Sequence, residues 1–579
     1  MKIFNFGTKV LPCIAVAGAL ALTGCQDDNY DFDEVDMTVG IGSDGLTLPV
    51  SSTNVIKLED VLELDGSECV VIKDNGDYVF TQQGGEASPA HPRIASFTVD
   101  SDGSPVQGEI VISAVPAIGG GSFDVSASGK AQTFTYRGDM PEEVKSLKYV
   151  GVNTSLSFTV NFPNGLSAAV PTIESLAVTL PSYFDLGVDN TGEAVHTIVF
   201  SDVPTSRPLD VNVGIHGLDF AEDKQVNGTV TAENGVIEMK GSILVDVKAT
   251  ANTDNGVNGS HITSSMKLDN IKVTSATGRF TPEFDLDDLG DVEVTGVPDF
   301  LTDGDVYVDL YNPQVILTIT NNMAVGGLVN GTIISYKGVD ELAKVEIPQF
   351  KVNPSGESKV CICRRPGDID ASLYTEVVGV DNLSDLIHTI PDRITFNASA
   401  QANPSEDSYF EFDTDYTVQP SYTVEAPIMF DKDAKIVYKD TLDGWHDDLE
   451  DFELADGAYV NLTATIENRV PAYLTVQAKA IDVDGNEMAD DEISVSVTPT
   501  IAASGKDGNA VETPLTVDLR QVGEGAFKRL DGLTFKIEAA ASDNGQNPVT
   551  GTTLNAKKHS LVAKDIKVTL KGKIIGDFN

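Results

Sequence analysis

The sequence predicts an all-β chain, and three observations carry that expectation. Apolar and polar residues alternate over many short runs. Asn-Gly and Asp-Gly dipeptides, within a total of 51 glycines, punctuate those runs. Helical patterns are few and short. In Leu156, Phe158, Val160 and Phe162, interleaved with Ser157, Thr159 and Asn161, the period is two, as in a half-buried strand. Short strands separated by tight turns point to several tandem β-sandwich domains of the immunoglobulin-like kind, with short helical crossovers.

The same alternation recurs along the chain. Val306, Val308 and Leu310 form one run, and Val315, Leu317 and Ile319 another. Tyr459 to Ile466 and Tyr473 to Ile481 follow, and Ile566, Val568 and Leu570 close the chain. Turns are expected at Asn75-Gly76, Asp102-Gly103, Asn234-Gly235, Asn330-Gly331 and Asp484-Gly485, because these pairs tolerate the positive φ of hairpin turns. Three helical segments are expected. These are Lys57 to Leu64, Asp139 to Leu147 (capped by Asp139, with Pro141 in the first turn), and Asp381 to His388. Turn-rich breaks lie at Gln82 to Pro92, Ala251 to Gly259, Asn353 to Ser358 and Asn403 to Asp407; each suits a linker or a long hairpin loop. The expected division is an N-terminal β domain at 46–150 and sandwiches at 151–275, 276–395 and 396–579. Leu317 to Ala324 resembles Thr465 to Pro471: both end a strand on Ile-x-Asn and continue into an apolar residue. Two related sandwiches would produce this, and so would two unrelated amphipathic strands. Asn at such a place can hydrogen-bond the turn backbone.

The N-terminus carries an address. Lys2 and Lys9 precede an uncharged apolar segment, Leu11 to Ala21, which ends in Leu22-Thr23-Gly24-Cys25. The segment is short for a bilayer span, which takes about 20 apolar residues, so residues 1–24 read as a signal peptide. Small residues before Cys25 suit cleavage in front of a lipidated thiol. Residues 25–45 then form an acidic tether, rich in Asp27, Asp28, Asp31, Asp33, Glu34 and Asp36. Gln26 stands where an Asp would resemble the enterobacterial inner-membrane retention signal. Cys25 followed by Gln26, Asp27 and Asp28 resembles instead the export signal of surface lipoproteins of gut Bacteroidota. That resemblance rests on residues 1 to about 36, and implies an outer-membrane, lipid-anchored protein facing the cell exterior.

Charge excludes some partners. The chain has 88 acidic and 39 basic residues, a net charge of −49; loss of Lys2 and Lys9 with the signal takes it to −51. Nucleic-acid binding needs clustered Lys and Arg, so none is expected. An anionic bilayer would repel the folded surface, so lipid at Cys25 must supply the anchor. Of five cysteines, Cys13 lies in the signal and Cys25 takes lipid; Cys69, Cys361 and Cys363 are too few for a disulfide framework and read as buried small hydrophobes.

No nucleophile elbow, zinc-protease motif or phosphate-binding loop occurs. Gly119-Gly120-Gly121 reads as a turn, and His196 and His216 as structural histidines near strands. Asp285, Asp287 and Asp288, and Asp482 with Asp484, gather oxygen ligands of the kind calcium takes, without the spacing of an EF-hand loop. Trp445 is the single tryptophan, too little for a Trp-lined glycan cleft; Tyr409, Tyr416, Tyr422 and Tyr438 read first as half-buried strand residues and second as a sugar platform. The leading expectation is a non-enzymatic, lipid-anchored surface protein whose sandwiches bind a glycan or host ligand, or mediate adhesion. A fimbria-like subunit lending a terminal strand, Asp565 to Phe578, is the second. A glycan hydrolase using two carboxylates is the third.

Overall fold

The computed structural model describes residues 38–576, apart from 41–45, 50–51, 53–54, 59–68, 85–86, 102–105, 115, 257–258, 284–290, 298–300, 302–304, 404, 447–451 and 455–458. The described chain is nearly all β, in several sheets. Helical structure is confined to short pieces such as Leu166–Ala169, Glu222–Lys224, Leu383–Ile387 and Ala526–Arg529.

One seven-strand pattern occurs three times. Unit 1 contains β1 (Ser122–Asp139), β2 (Val144–Asn161), β3 (Thr172–Thr179), β4 (Thr197–Pro204), β5 (Leu209–Asp219), β6 (Val236–Asn252) and β7 (Ser260–Leu268). Unit 2 contains β8 (Asp291–Glu293), β9 (Gln314–Asn321), β10 (Gly327–Lys337), β11 (Asp340–Val352), β12 (Gly356–Cys363), β13 (Arg393–Ala402) and β14 (Val418–Pro427). Unit 3 contains β15 (Lys435–Leu442), β16 (Tyr459–Asn468), β17 (Tyr473–Asp482), β18 (Ile493–Thr498), β19 (Val511–Gln521), β20 (Leu530–Ala540) and β21 (Ser560–Lys571).

In every unit the second strand pairs with the fifth and the seventh. The third pairs with the sixth, which also takes the first. The fourth lies beside the third in units 1 and 2. In unit 3, β18 pairs with β19 instead and lies close beside β17, which the flanking residues Glu487 and Ile501 bridge at Ile481 and Leu474. A short 3-10 helix lies between the fifth and sixth strands each time, where the chain crosses from one sheet to the other.

Alternation explains the layers. On β2, Leu156, Phe158 and Val160 are all at most 1% exposed, while Ser155 and Ser157 face water. Burying a side chain the size of Phe158 contributes about 1.5–3 kcal/mol, so one face of each strand is fixed and the register with it. The turns mostly follow the dipeptides. Asn234 (φ 53°) and Gly235 (φ 78°) close the hairpin into β6. Asn330-Gly331 departs from expectation and lies inside β10, at a shift in register. A Cβ on Gly331 would meet Asn397 O at 2.4 Å, so the glycine serves close strand approach rather than a turn.

Three further expectations change. Asp139 to Leu147 forms a tight β1–β2 connection instead of a helix, because both flanking strands claim its ends. Val306 to Leu310 makes only isolated bridges, Tyr307 to Lys435 and Leu310 to Phe430, which tie unit 2 to the strand opening unit 3. The helix at 381–388 is a 3-10 turn, Leu383–Ile387, and most of 57–64 lies outside the described residues.

The segment before unit 1 pairs with strands of all three units. Leu46–Pro49 and Ile56–Lys57 pair with β21 of unit 3. Tyr78–Gln83 pairs with β14 of unit 2. Glu109–Ile112 pairs with β7 of unit 1. One stretch of chain therefore lends an edge strand to the seventh strand of each unit, in reverse order, and Thr38–Gly40 ends beside Lys573–Ile575. The expected boundaries at 150/151 and 395/396 accordingly fall inside β2 and β13. Asp565 to Phe578, expected as a strand to lend, overlaps β21, which is paired on both sides.

Candidate functional site

Several expected site residues lie outside the described residues: Cys25, Gln26, Asp27, Asp28, Asp285, Asp287 and Asp288. Asp291, just after the first acidic run, pairs with Arg393 at 2.8 Å and accepts from Thr395 Oγ1 at 2.6 Å. Asp482 and Asp484 sit in the β17–β18 turn. There Asp482 Oδ1 accepts from the backbone N–H of Asp484 (3.0 Å) and Asn486 (2.9 Å), and these bonds hold its carboxyl below the usual range. Among the described residues, no three His, Cys, Asp or Glu side chains gather as a metal site would require.

The aromatic candidates are mostly interior. Tyr416 and Tyr422 are buried, and burial pushes Tyr422 up to about 12. Trp445 packs against the core of unit 3. Of the four candidate tyrosines Tyr409 alone is well exposed, with its hydroxyl bonded to Glu411, and Tyr438 is half-buried on β15. His216 is solvent-exposed on β5, and His196 is half-buried, with burial lowering its pKa. Cys361 and Cys363 are fully buried beneath the loop after β12, and Cys69 is buried as well.

The densest chemistry was not singled out by sequence. It lies where unit 2 passes into unit 3. Asp309 precedes β9, Arg364 and Arg365 follow β12, His388 closes the crossover helix, and Asp431 lies between β14 and β15. Arg364 Nη1 is 2.8 Å from Asp309 Oδ1 and 3.1 Å from Asp431 Oδ2. Arg365 Nη2 reaches Asp431 Oδ2 at 2.5 Å, and its guanidinium stacks on Tyr311 at 4.2 Å. His388 Nε2 is 3.7 Å from Asp309 Oδ1, while Tyr307 Oη meets His388 Nδ1 at 2.9 Å. Burial alone would raise Asp309; its hydrogen bond with His388 and the adjacent Arg364 outweigh that and hold it below its ordinary value.

The row Tyr307–His388–Asp309 has the order of a proton relay, yet its carboxylate is already committed to Arg364. The cluster therefore neutralises itself, and its evident work is to fix geometry between units. The sequence offered one signal, the adjacent Arg364-Arg365 in a strongly acidic chain. Its partners lie up to 67 positions away and could not be assigned.

A small apolar cavity of about 50 Å³ lies between the sheets of unit 2, lined by Phe80, Val315, Leu386, Ile394, Phe396 and Tyr422 among others. Ligand pockets usually run to about 300–1,000 Å³, so this space is a packing defect at the open end of a sandwich.

No family model matches the chain, and no curated protein matches it. A solved protein of Parabacteroides distasonis, inferred to be secreted, is similar over 52% of this chain and 83% of its own, at 13% identity and a TM-score of 0.34. A structure of the infectious bursal disease virus Gx strain matches over 90% of this chain and 87% of its own, at 8% identity and a TM-score of 0.14. A structure of Sulfolobus turreted icosahedral virus matches over 86% of this chain and all of its own, at 8% identity and a TM-score of 0.12. At such TM-scores these likenesses carry no argument about fold or function. No helix among the described residues is long and apolar enough to cross a membrane.

Proposed function

We propose that the chain is a non-enzymatic, lipid-anchored protein of the outer membrane, facing the cell exterior, which displays three β-sandwich modules for binding or adhesion. The modules are immunoglobulin-like in being two packed antiparallel sheets. The observation that carries the reading is the reverse course of the N-terminal segment. Residues 38–57 lie against unit 3, 78–83 against unit 2 and 109–112 against unit 1. Twelve residues lie between Cys25 and Thr38, and the thirteen steps reach about 45 Å at most. Lipid on Cys25 would hold unit 3 at the membrane and present unit 1 outward.

The test is fractionation of Cys25→Ala, together with protease treatment of intact cells. The proposal expects the variant to leave the membrane fraction, and the wild-type chain to be digested without lysis. A variant that stays in the membrane fraction would refute the anchor, and protection until lysis would refute the outward face.

The fimbria-like reading keeps one supporting observation. The N-terminal segment already completes three sandwiches by lending strands within the chain, which is the chemistry that strand exchange uses between chains. Heat-labile, detergent-resistant polymers would favour it.

A further inference from the structure

The three units permit a comparison of one edge with itself. The fourth strand ends the second sheet in units 1 and 2. In unit 3, β18 instead ends the first sheet, paired with β19, and lies close beside β17, the outer strand of the second. In unit 2 the edge is guarded: β11 carries Asp340, Glu341, Lys344, Glu346 and Lys351 with Pro348, and Lys351 N donates to Glu376 at 2.8 Å. Charges and proline on an edge are the usual protection against pairing with another chain.

In unit 1 the edge is less guarded: its one charge, Asp202, and its one proline, Pro204, both lie at its C-terminal end. The strand β4 reads Thr197-Ile-Val-Phe-Ser-Asp-Val-Pro204 and pairs only with β3 among the described residues. Asp202 is its single charge. Val199 points to solvent at 61% exposure, and Ile198 and Phe200 lie half-buried against the unit 1 core, open on one side. Five consecutive uncharged residues, Thr197 to Ser201, thus present a free backbone edge.

We propose that β4 is a docking edge for β4 of a second copy of this chain. The occupant follows from the sequence of the edge. In antiparallel pairing centred on Val199, Val199 faces its own counterpart and Thr197 faces Ser201 on the outer side. Ile198 then faces Phe200 on the inner side. A β-branched residue opposite an aromatic one is a favourable cross-strand pair, and the added strand would cover the open side of both. No like charges meet within these five positions. The backbone hydrogen bonds of strand addition supply affinity without a large flat interface. Whole-chain charge opposes association, at −49 per copy, so salt must strengthen the contact by screening. A basic partner would show the opposite dependence. The inference goes beyond display at the membrane and does not require it.

The experiment is sedimentation equilibrium of the full chain bearing Cys25→Ala, at low and high sodium chloride, with circular dichroism as the check on folding. The expected result is a monomer–dimer equilibrium that tightens with salt. Val199→Lys places like charges opposite one another and raises the dimer dissociation constant by about tenfold or more. Ser201→Lys, on the same outer row and opposite Thr197, puts a charge on the pairing edge, raises the dissociation constant as well, and covers the case in which Val199→Lys fails to fold. Leu342→Lys, on the guarded edge of β11, changes nothing. A chain monomeric at every salt concentration, a dimer that weakens with salt, or a dimer indifferent to both β4 variants would overturn the proposal.

Discussion

Units 1 and 2 meet through aromatic rings, and units 2 and 3 meet through buried charges. At the first junction Ser408–Glu411, from the β13–β14 connection, pairs with Ile271–Phe280, which continues the course of β7. Phe410 is fully buried there, with ring centroids 5.3 Å from Phe280, 5.7 Å from Phe412 and 5.0 Å from Tyr416; Phe97 lies 5.5 Å from Phe412. At the second junction Asp309 and Asp431 are buried against Arg364 and Arg365. The first junction is held by area and shape, which are insensitive to pH. The second is held by directional contacts, whose net contribution is small while complete and whose loss is costly. One repeated fold therefore uses two couplings with different vulnerabilities, and each can be broken alone.

The largest effect expected is from Phe410→Ala. Removing a fully buried phenyl costs about 3–5 kcal/mol, and urea unfolding should show units 1 and 2 losing stability together. Unfolding of unit 2 alone would show that the first junction does not couple them. Asp431→Ala is expected to cost about 2 kcal/mol, less than a wholly buried pair because Arg365 is partly open to water. Hydrogen exchange should rise in 305–312, 364–365 and 428–436 and stay unchanged around Phe410.

A third test asks whether the repeat is physical. Asn321 and Asn468 end the second strand of units 2 and 3. Oδ1 of Asn321 accepts from Met323 N at 2.9 Å, and its Nδ2 donates to Val325 O (3.0 Å) and Asn353 O (3.3 Å). Asn468 repeats this with Val470 N (2.7 Å), Ala472 O (3.0 Å) and Ala502 O (2.9 Å). Both are buried, so Asn321→Ala and Asn468→Ala should each cost about 1–3 kcal/mol by leaving backbone groups unpaired. A cost in one unit without the other would mean the likeness is only geometric.

The smallest effect is acid sensitivity. The carboxyl of Asp309 is depressed in the folded chain. Its contribution is therefore complete above the unfolded value, about 3.9, and is lost as pH falls through the lower folded value. Acidification below about pH 4 should raise exchange at the second junction before the first. Asp413, beside Lys272 at the rim of the first junction, is also depressed, but the pair is solvent-exposed and contributes little.

The sequence made the strands legible wherever one face is buried, as in Leu156 to Phe162 or Tyr459 to Ile466, because alternation is local. It hinted at the repeat through Ile-x-Asn alone. The course of residues 46–112 was illegible, since pairing Leu46 with Leu570 is a contact across the whole chain. The Asp309 cluster was illegible for the same reason: its five members come from four separate segments. Asn330-Gly331 misled because a turn dipeptide also suits a strand that needs a close neighbour.

The proposed anchor at Cys25 is decided by which end of the molecule would meet the membrane. The measurement is energy transfer from dye-labelled vesicles to the lipidated chain, carrying one fluorophore on Val188→Cys in unit 1 or Val522→Cys in unit 3. Both positions are exposed, at 67% and 56%, while Cys69, Cys361 and Cys363 are buried. Strong transfer to position 522 and weak transfer to 188 is the predicted result. Equal transfer, or stronger transfer to 188, would contradict the reverse course of the N-terminal segment as the device that displays unit 1.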